Sequence, residues 1–197
     1  MKKHIIAALI LTAALSLSAF TGCNKSESGT SSAPERTVVN QNDLPEKEID
    51  VSIAEEASEN QTSFKLNKVI DAGAQTDDGK HYIYLNVTIG NTTGEDYELN
   101  MLNNFYLLLP DGTESHFDIR TQLYAENNFK NYTGSIINVP ANGEFTGYVG
   151  GFLLSENVDR FTVGFFPTQN DDTNKESVVK CEVSKLDMTD VPPDLIG

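Results

Sequence analysis

The sequence predicts an antiparallel β-sandwich, and three observations point to it. Several short segments alternate apolar and polar residues with a period of two. Turn signals built from Gly, Pro, Asn and Asp separate them. No stretch of the C-terminal two thirds carries the 3.6-residue period of an amphipathic helix. Antiparallel strands that alternate in this way bury one face and pack in pairs of sheets. A closed barrel is the alternative for the same pattern.

The elements follow in chain order. Residues 64–70 read as a first strand, ended by Asp71-Ala72-Gly73, and Asp77-Asp78-Gly79-Lys80 is a turn. Residues 81–91 form the clearest strand: Ile83, Leu85, Val87 and Ile89 share one face, and Tyr82, Tyr84, Asn86 and Thr88 the other. Asn91-Thr92-Thr93-Gly94 turns the chain. Residues 104–109 are a strand that runs into Pro110-Asp111-Gly112, a hairpin signal, with its return at 115–118. Residues 119–134 read as a long irregular loop. Strand character resumes at 135–139, stops at Pro140-Ala141-Asn142-Gly143, and returns at 145–154, where Gly147, Gly150 and Gly151 mark a bulge or a close backbone approach. Residues 160–166 place Phe161, Val163 and Phe165 on one face. Residues 177–186 do the same with Val179, Cys181 and Val183.

The N-terminal third differs in kind. Lys2 and Lys3 precede an apolar run from Ile5 to Leu17, the order of a secretory signal and too short to span a bilayer, which needs ~20 apolar residues. Residues 24–63 contain no aromatic side chain, nine acids and three bases, so they cannot offset the entropy of ordering and are expected to form a flexible tether. Ile49-Asp50-Val51-Ser52-Ile53 alternates and reads as a short edge strand or a helical turn. The division expected is a signal peptide at 1–22, a tether at 23–63, a folded domain at 64–188 and a tail at 189–197.

Thr21-Gly22-Cys23 resembles the lipobox of bacterial lipoproteins, with Phe20 in place of the usual Leu. The resemblance implies cleavage before Cys23, a diacylglyceryl group on its thiol, and a domain held at the outer face of the cytoplasmic membrane. Two acyl chains hold a protein where one exchanges. Cys181 is then left without a partner for a disulfide, and its alternation with valines makes it a buried apolar residue.

From residue 60 to 188 the order of elements looks like the telokin-like, immunoglobulin-like domain of unknown function found on Gram-positive cell-surface lipoproteins. The residues that carry the likeness are the alternating strand into Asn91, Asp111-Gly112-Thr113, and Gly143-Glu144-Phe145-Thr146-Gly147-Tyr148-Val149-Gly150-Gly151-Phe152. The likeness implies an all-β immunoglobulin-like sandwich and supplies no catalytic residues. The Cys…Trp…Cys core of antibody domains is missing, since the chain has no Trp.

Composition narrows the function. With 14 Lys+Arg against 29 Asp+Glu, a formal charge of −15 argues against nucleic acid as a partner. No G-x-S-x-G, H-E-x-x-H, phosphate loop or C-x-x-C occurs, so no catalytic or metal residues are assigned and no cofactor is expected. His81 and His116 read as structural or solvated, because a zinc site needs three or four such donors. Asn170-Asp171-Asp172-Thr173-Asn174-Lys175-Glu176 and Asp77-Asp78 read as solvated turns, as the calcium-loop Gly is missing. The candidate contact residues are Arg120, Tyr124, Phe129, Lys130 and Tyr132, an aromatic and basic mixture in the 119–134 loop. The three aromatics folded back onto the sandwich is the competing reading. The expected function is a lipid-anchored, non-catalytic module that binds a protein or envelope component. A small-ligand or ion-binding accessory lipoprotein of a transporter or surface enzyme is the alternative.

Overall fold

A computed structural model describes residues 45–169 and 175–197. The signal segment, Cys23 and residues 24–44 of the tether lie outside the described residues, as do residues 170–174 of the oxygen-rich loop.

The strands are β1 (Lys47–Val51), β2 (Glu56–Glu59), β3 (Thr62–Ala74), β4 (His81–Asn91), β5 (Tyr97–Asn100), β6 (Phe105–Leu108), β7 (Glu114–Ser115), β8 (Ile136–Val139), β9 (Glu144–Leu154), β10 (Arg160–Phe165), β11 (Ser177–Ser184) and β12 (Met188–Asp190). Two helices interrupt them, α1 (Met101–Asn104) and α2 (Ile119–Asn128). One sheet has the order β1-β11-β10-β6-β7 and the other β12-β3-β4-β9, with β2 also on β3; β5 and β8 form a separate ribbon. Pairing is antiparallel except where β1 joins β11 and β12 joins β3. The fold is a sandwich, as the alternation predicts.

The core lies between the two sheets because both inner faces are apolar at every second position. Ile83, Leu85, Val87 and Ile89 are fully buried there, facing Val163, Phe165 and Val179 from the opposite sheet. Phe64 on β3 stacks on Phe165 of β10 at 4.4 Å and meets Phe105 of β6 edge-on at 6.1 Å, joining the layers. Cys181 is buried in this core, and burial pushes its thiol up to about 11.

Three expectations are corrected. Among the described residues the first strand starts at Lys47, seventeen residues before Phe64: residues 49–51 of the alternation lie in that edge strand, and β2 pairs with the start of β3. Polar edge strands need few apolar residues, so composition hides them. The stretch 119–134 is not a loop; its first ten residues are α2. Residues 189–197 are not a tail, since β12 pairs with β3 and Leu195 is buried.

The C-terminal segment also closes on α2. Lys130 donates its backbone N–H to the Leu195 carbonyl at 2.7 Å, and Gly197 donates to Asn128 at 2.8 Å. The outer face of β3-β4-β9 is thereby covered by α2 and by the chain end.

Candidate functional site

β4 has both faces buried, and its outer face explains the aromatic residues at 119–134. Tyr82, Tyr84, Ile70 and Ala125 form a second apolar cluster, with Tyr124, Phe129 and Tyr132 packed against it. Tyr82 meets Tyr124 at 5.5 Å, and Tyr84 meets Phe129 at 4.9 Å and Tyr132 at 5.9 Å, all edge to face. The Tyr84 hydroxyl donates to the Thr121 carbonyl at 2.7 Å. The Tyr132 hydroxyl donates to the Gly150 carbonyl. Desolvation raises the pKa of both phenols, so both stay neutral donors. These three aromatics therefore hold α2 on the sheet, and the contact-surface expectation is corrected for them.

Glycine permits that docking. Gly150 has φ +97°, at the bulge where β9 slips against β4. A Cβ on Gly151 would lie 2.8 Å from the Thr121 Cβ and 2.9 Å from the Tyr84 ring. Only a residue without a side chain lets the helix come this close.

The same docking forces apolar residues outward. Residues four apart share a helix face. Thr121 and Ala125 point inward and are fully buried, which leaves Ile119 and Leu123 on the opposite face, 59% and 53% exposed. Asp118 caps the helix, accepting from Arg120 N at 2.9 Å, while its own N–H donates to the Gly151 carbonyl at 3.1 Å. Arg120 closes a two-point ion pair on the same carboxylate, Nε at 2.9 Å and Nη2 at 2.7 Å. Those Arg120 hydrogen bonds hold the Asp118 carboxyl below the usual range.

α1 faces this helix end. Asn104, 2% exposed, donates to the Phe166 and Thr168 carbonyls at 2.8 and 2.7 Å and accepts from Asn100 N at 2.7 Å. Met101 is buried and its N–H donates to the Ser135 carbonyl. With Met101 inward, Leu102 is left outward, 56% exposed. Between them lies a groove of about 550 Å³, floored by Phe117 and lined by Leu102, Ile119, Arg120, Gln122 and Ser135. Ile136, 39% exposed, follows Ser135 on β8. Two of the six exposed large apolar residues of the described chain, Leu102 and Ile119, thus line one groove.

Of the five expected contact residues, only Arg120 lines this groove, and Lys130 is exposed beyond the far end of α2. Leu102 and Ile119 were missed, because an apolar residue in a strand-like or irregular stretch reads as core. Other clefts are less suited. The one at Gly90, Asn91 and Gly143 has its Asn91 amide already bonded to the Glu95 and Val139 carbonyls. His81 bonds Asp71 at 2.8 Å and His116 pairs with Glu114 at 3.3 Å. Among the described residues no three His, Cys, Asp or Glu are grouped to hold a metal ion.

Comparison with known proteins adds a family and a few solved structures. Residues 51–168 match a family described as "Domain of unknown function (DUF4352)". A Bacillus subtilis structure titled as a "putative lipoprotein (ycdA)" is 15% identical with TM-score 0.47, over 67% of this chain and 39% of that one. The yjhA protein of Bacillus subtilis is 14% identical with TM-score 0.46, over 66% of this chain and 98% of that one. An uncharacterized beta-sandwich protein from Clostridium difficile is 14% identical with TM-score 0.43, over 72% of this chain and 97% of that one. No curated protein matches the chain.

Proposed function

The chain belongs to that family of domains of unknown function, and from this premise we propose that it is a lipid-anchored, non-catalytic interaction module. Cys23 carries the lipid, residues 24–44 tether the domain at the outer face of the cytoplasmic membrane, and the α1–α2 groove is the contact site for a protein or envelope component. The observation that carries the reading is the meeting of exposed Leu102 and Ile119 over half-buried Phe117 in one groove. Apolar side chains of this size held out in water by well-satisfied helix caps mark an interaction surface. The N-terminal lipobox resemblance supports the anchor.

Photo-crosslinking in cells from positions 102 and 119, followed by mass spectrometry, tests the contact site. One partner recovered from both positions and not from position 130 supports it; capture from position 130 alone refutes it. The anchor is tested by Cys23→Ala, which is expected to release the chain from the detergent phase.

The groove volume falls within the ~300–1,000 Å³ of small-ligand sites, which favours a ligand-binding accessory role as the second reading. Such sites enclose most of their ligand. Here Leu102 and Ile119 on the rim are more than half exposed, and an open rim suits a macromolecular partner better.

A further inference from the structure

An apolar groove of this kind can be covered by a second copy of the chain, by a bilayer, or by a segment of another polypeptide, and charge separates the three. Residues 45–197 carry 10 Lys and Arg against 26 Asp and Glu. Two copies meeting at the groove bring like fields together, which costs association. Anionic headgroups are repelled for the same reason, and binding to them needs clustered basic residues. The one base lining the groove, Arg120, is already neutralised by its two-point pair with Asp118. On the outward face of α2, the bond that Glu126 accepts at 2.7 Å comes from the neutral Gln122 amide and not from a base.

That bond adds a second constraint. The Glu126 carboxylate needs a donor, so it fixes the Gln122 amide with its NH₂ toward Glu126 and Oε1 on the other side. Gln122 Oε1 is buried and has no hydrogen-bond partner, and it is the only such side-chain atom among the described residues. Gln122 lines the groove. A buried acceptor without a donor is costly to leave unmade, and hydrocarbon has no donor to offer. A polypeptide backbone has one at nearly every residue, so an occupant that draws the Gln122 side chain out of its buried position supplies the missing partner.

Resting on the reading of this groove as the contact site, we propose that its occupant is a cationic, apolar segment of another polypeptide. One large apolar side chain sits between Leu102 and Ile119 over Phe117. Lys or Arg on its flanks face the acidic domain, and a backbone N–H meets Gln122 Oε1.

The test is selection of short random peptides displayed on phage against the whole chain. Recovered peptides are then measured by fluorescence anisotropy on the wild type and on Leu102→Asp/Ile119→Asp. Both positions are more than half exposed, and an unchanged melting temperature checks that the variant folds. Recovered peptides are expected to combine Leu, Ile, Met or Phe with Lys or Arg. They are expected to bind the double variant at least about tenfold more weakly, and to lose affinity as salt rises from about 50 to about 500 mM. Gln122→Met is expected to weaken them about threefold. Peptides that need the groove but are acidic or insensitive to salt overturn the cationic occupant and leave the contact site standing. Peptides indifferent to the double variant overturn both. Recovery of no peptide overturns the proposal. A dimer in sedimentation, or flotation with phosphatidylglycerol vesicles, does so too if Ile119→Asp abolishes it, and names the occupant instead.

Discussion

The two faces of β4 bury similar amounts of side chain by different means. Its inner face is aliphatic and meets another sheet whose side chains also alternate, so the partners interdigitate over a broad area. Its outer face presents Tyr82 and Tyr84 to α2 and to the C-terminal segment. There a few edge-to-face aromatic contacts, two phenol-to-carbonyl hydrogen bonds and one glycine hold a helix of ten residues. The inner layer thus makes the fold, and the outer layer orients the groove. Loss of inner packing should unfold the protein, while loss of outer packing should loosen α2 first.

The largest effect is expected inside. Phe165→Ala removes a ring stacked on Phe64 and touching Phe105, and should cost about 3–5 kcal/mol in urea unfolding. On the outer face, Gly151→Ala forces Thr121 and Tyr84 apart and should cost about 1–3 kcal/mol. Hydrogen exchange in that variant should rise at residues 119–128 before it rises in β4; equal loss in both would erase the distinction between layers. Tyr84→Phe leaves the ring contacts and removes only the donor to Thr121, for about 1 kcal/mol by the same unfolding measurement.

Smaller effects sharpen the comparison at the helix start. The Asp118 carboxyl is held below its usual pKa by the Arg120 hydrogen bonds, so its charged form stabilises the fold. The sign of the lowered folded-state value means this contribution is present above the unfolded value, ~3.9, and is lost as pH falls through the folded one. Asn caps a helix as well as Asp. Asp118→Asn should therefore melt slightly below the wild type at neutral pH, with the difference vanishing in acid. The pair is exposed, so the gap should be small. The smallest change is expected for Ile119→Ser, within about 0.5 kcal/mol, because more than half of the side chain is already in water. A large loss of stability there would show Ile119 serving the fold rather than a partner.

Legibility in the sequence follows the same division. Strand β4 spans 81–91 as its alternation predicts, and the Gly112 and Gly143 turns fall where their residues place them. Gly150 and Gly151 mark both a bulge and a close approach. α2 escaped because its two fully buried residues, Thr121 and Ala125, are polar or small, while Ile119 and Leu123 point out. With apolar residues on both sides of the helix, Ile119 and Leu123 outward and Tyr124 and Ala125 inward, no single stripe stands out in the sequence. Asp118, an N-cap residue three positions before a buried threonine, was the one signal available. Tyr124, Phe129 and Tyr132 were visible as a cluster, but whether they faced solvent or Tyr82 and Tyr84 depended on a contact some forty residues away in sequence.

From the sequence alone came the all-β class, the sandwich core positions, the turns, the buried Cys181 and the acidity. Each is local or compositional: period two, turn chemistry and charge are set within a few residues. The tertiary packing alone decided that β1 and β2 precede Phe64 in the sandwich, that the C-terminal residues close on α2, and that Leu102 and Ile119 share a groove. Those facts depend on which sheet edge a polar strand joins and which face a helix turns to the sheet. Both are fixed by long-range packing, here by the gap above Gly151 and the anchoring of Asn104, and local patterns carry no record of either.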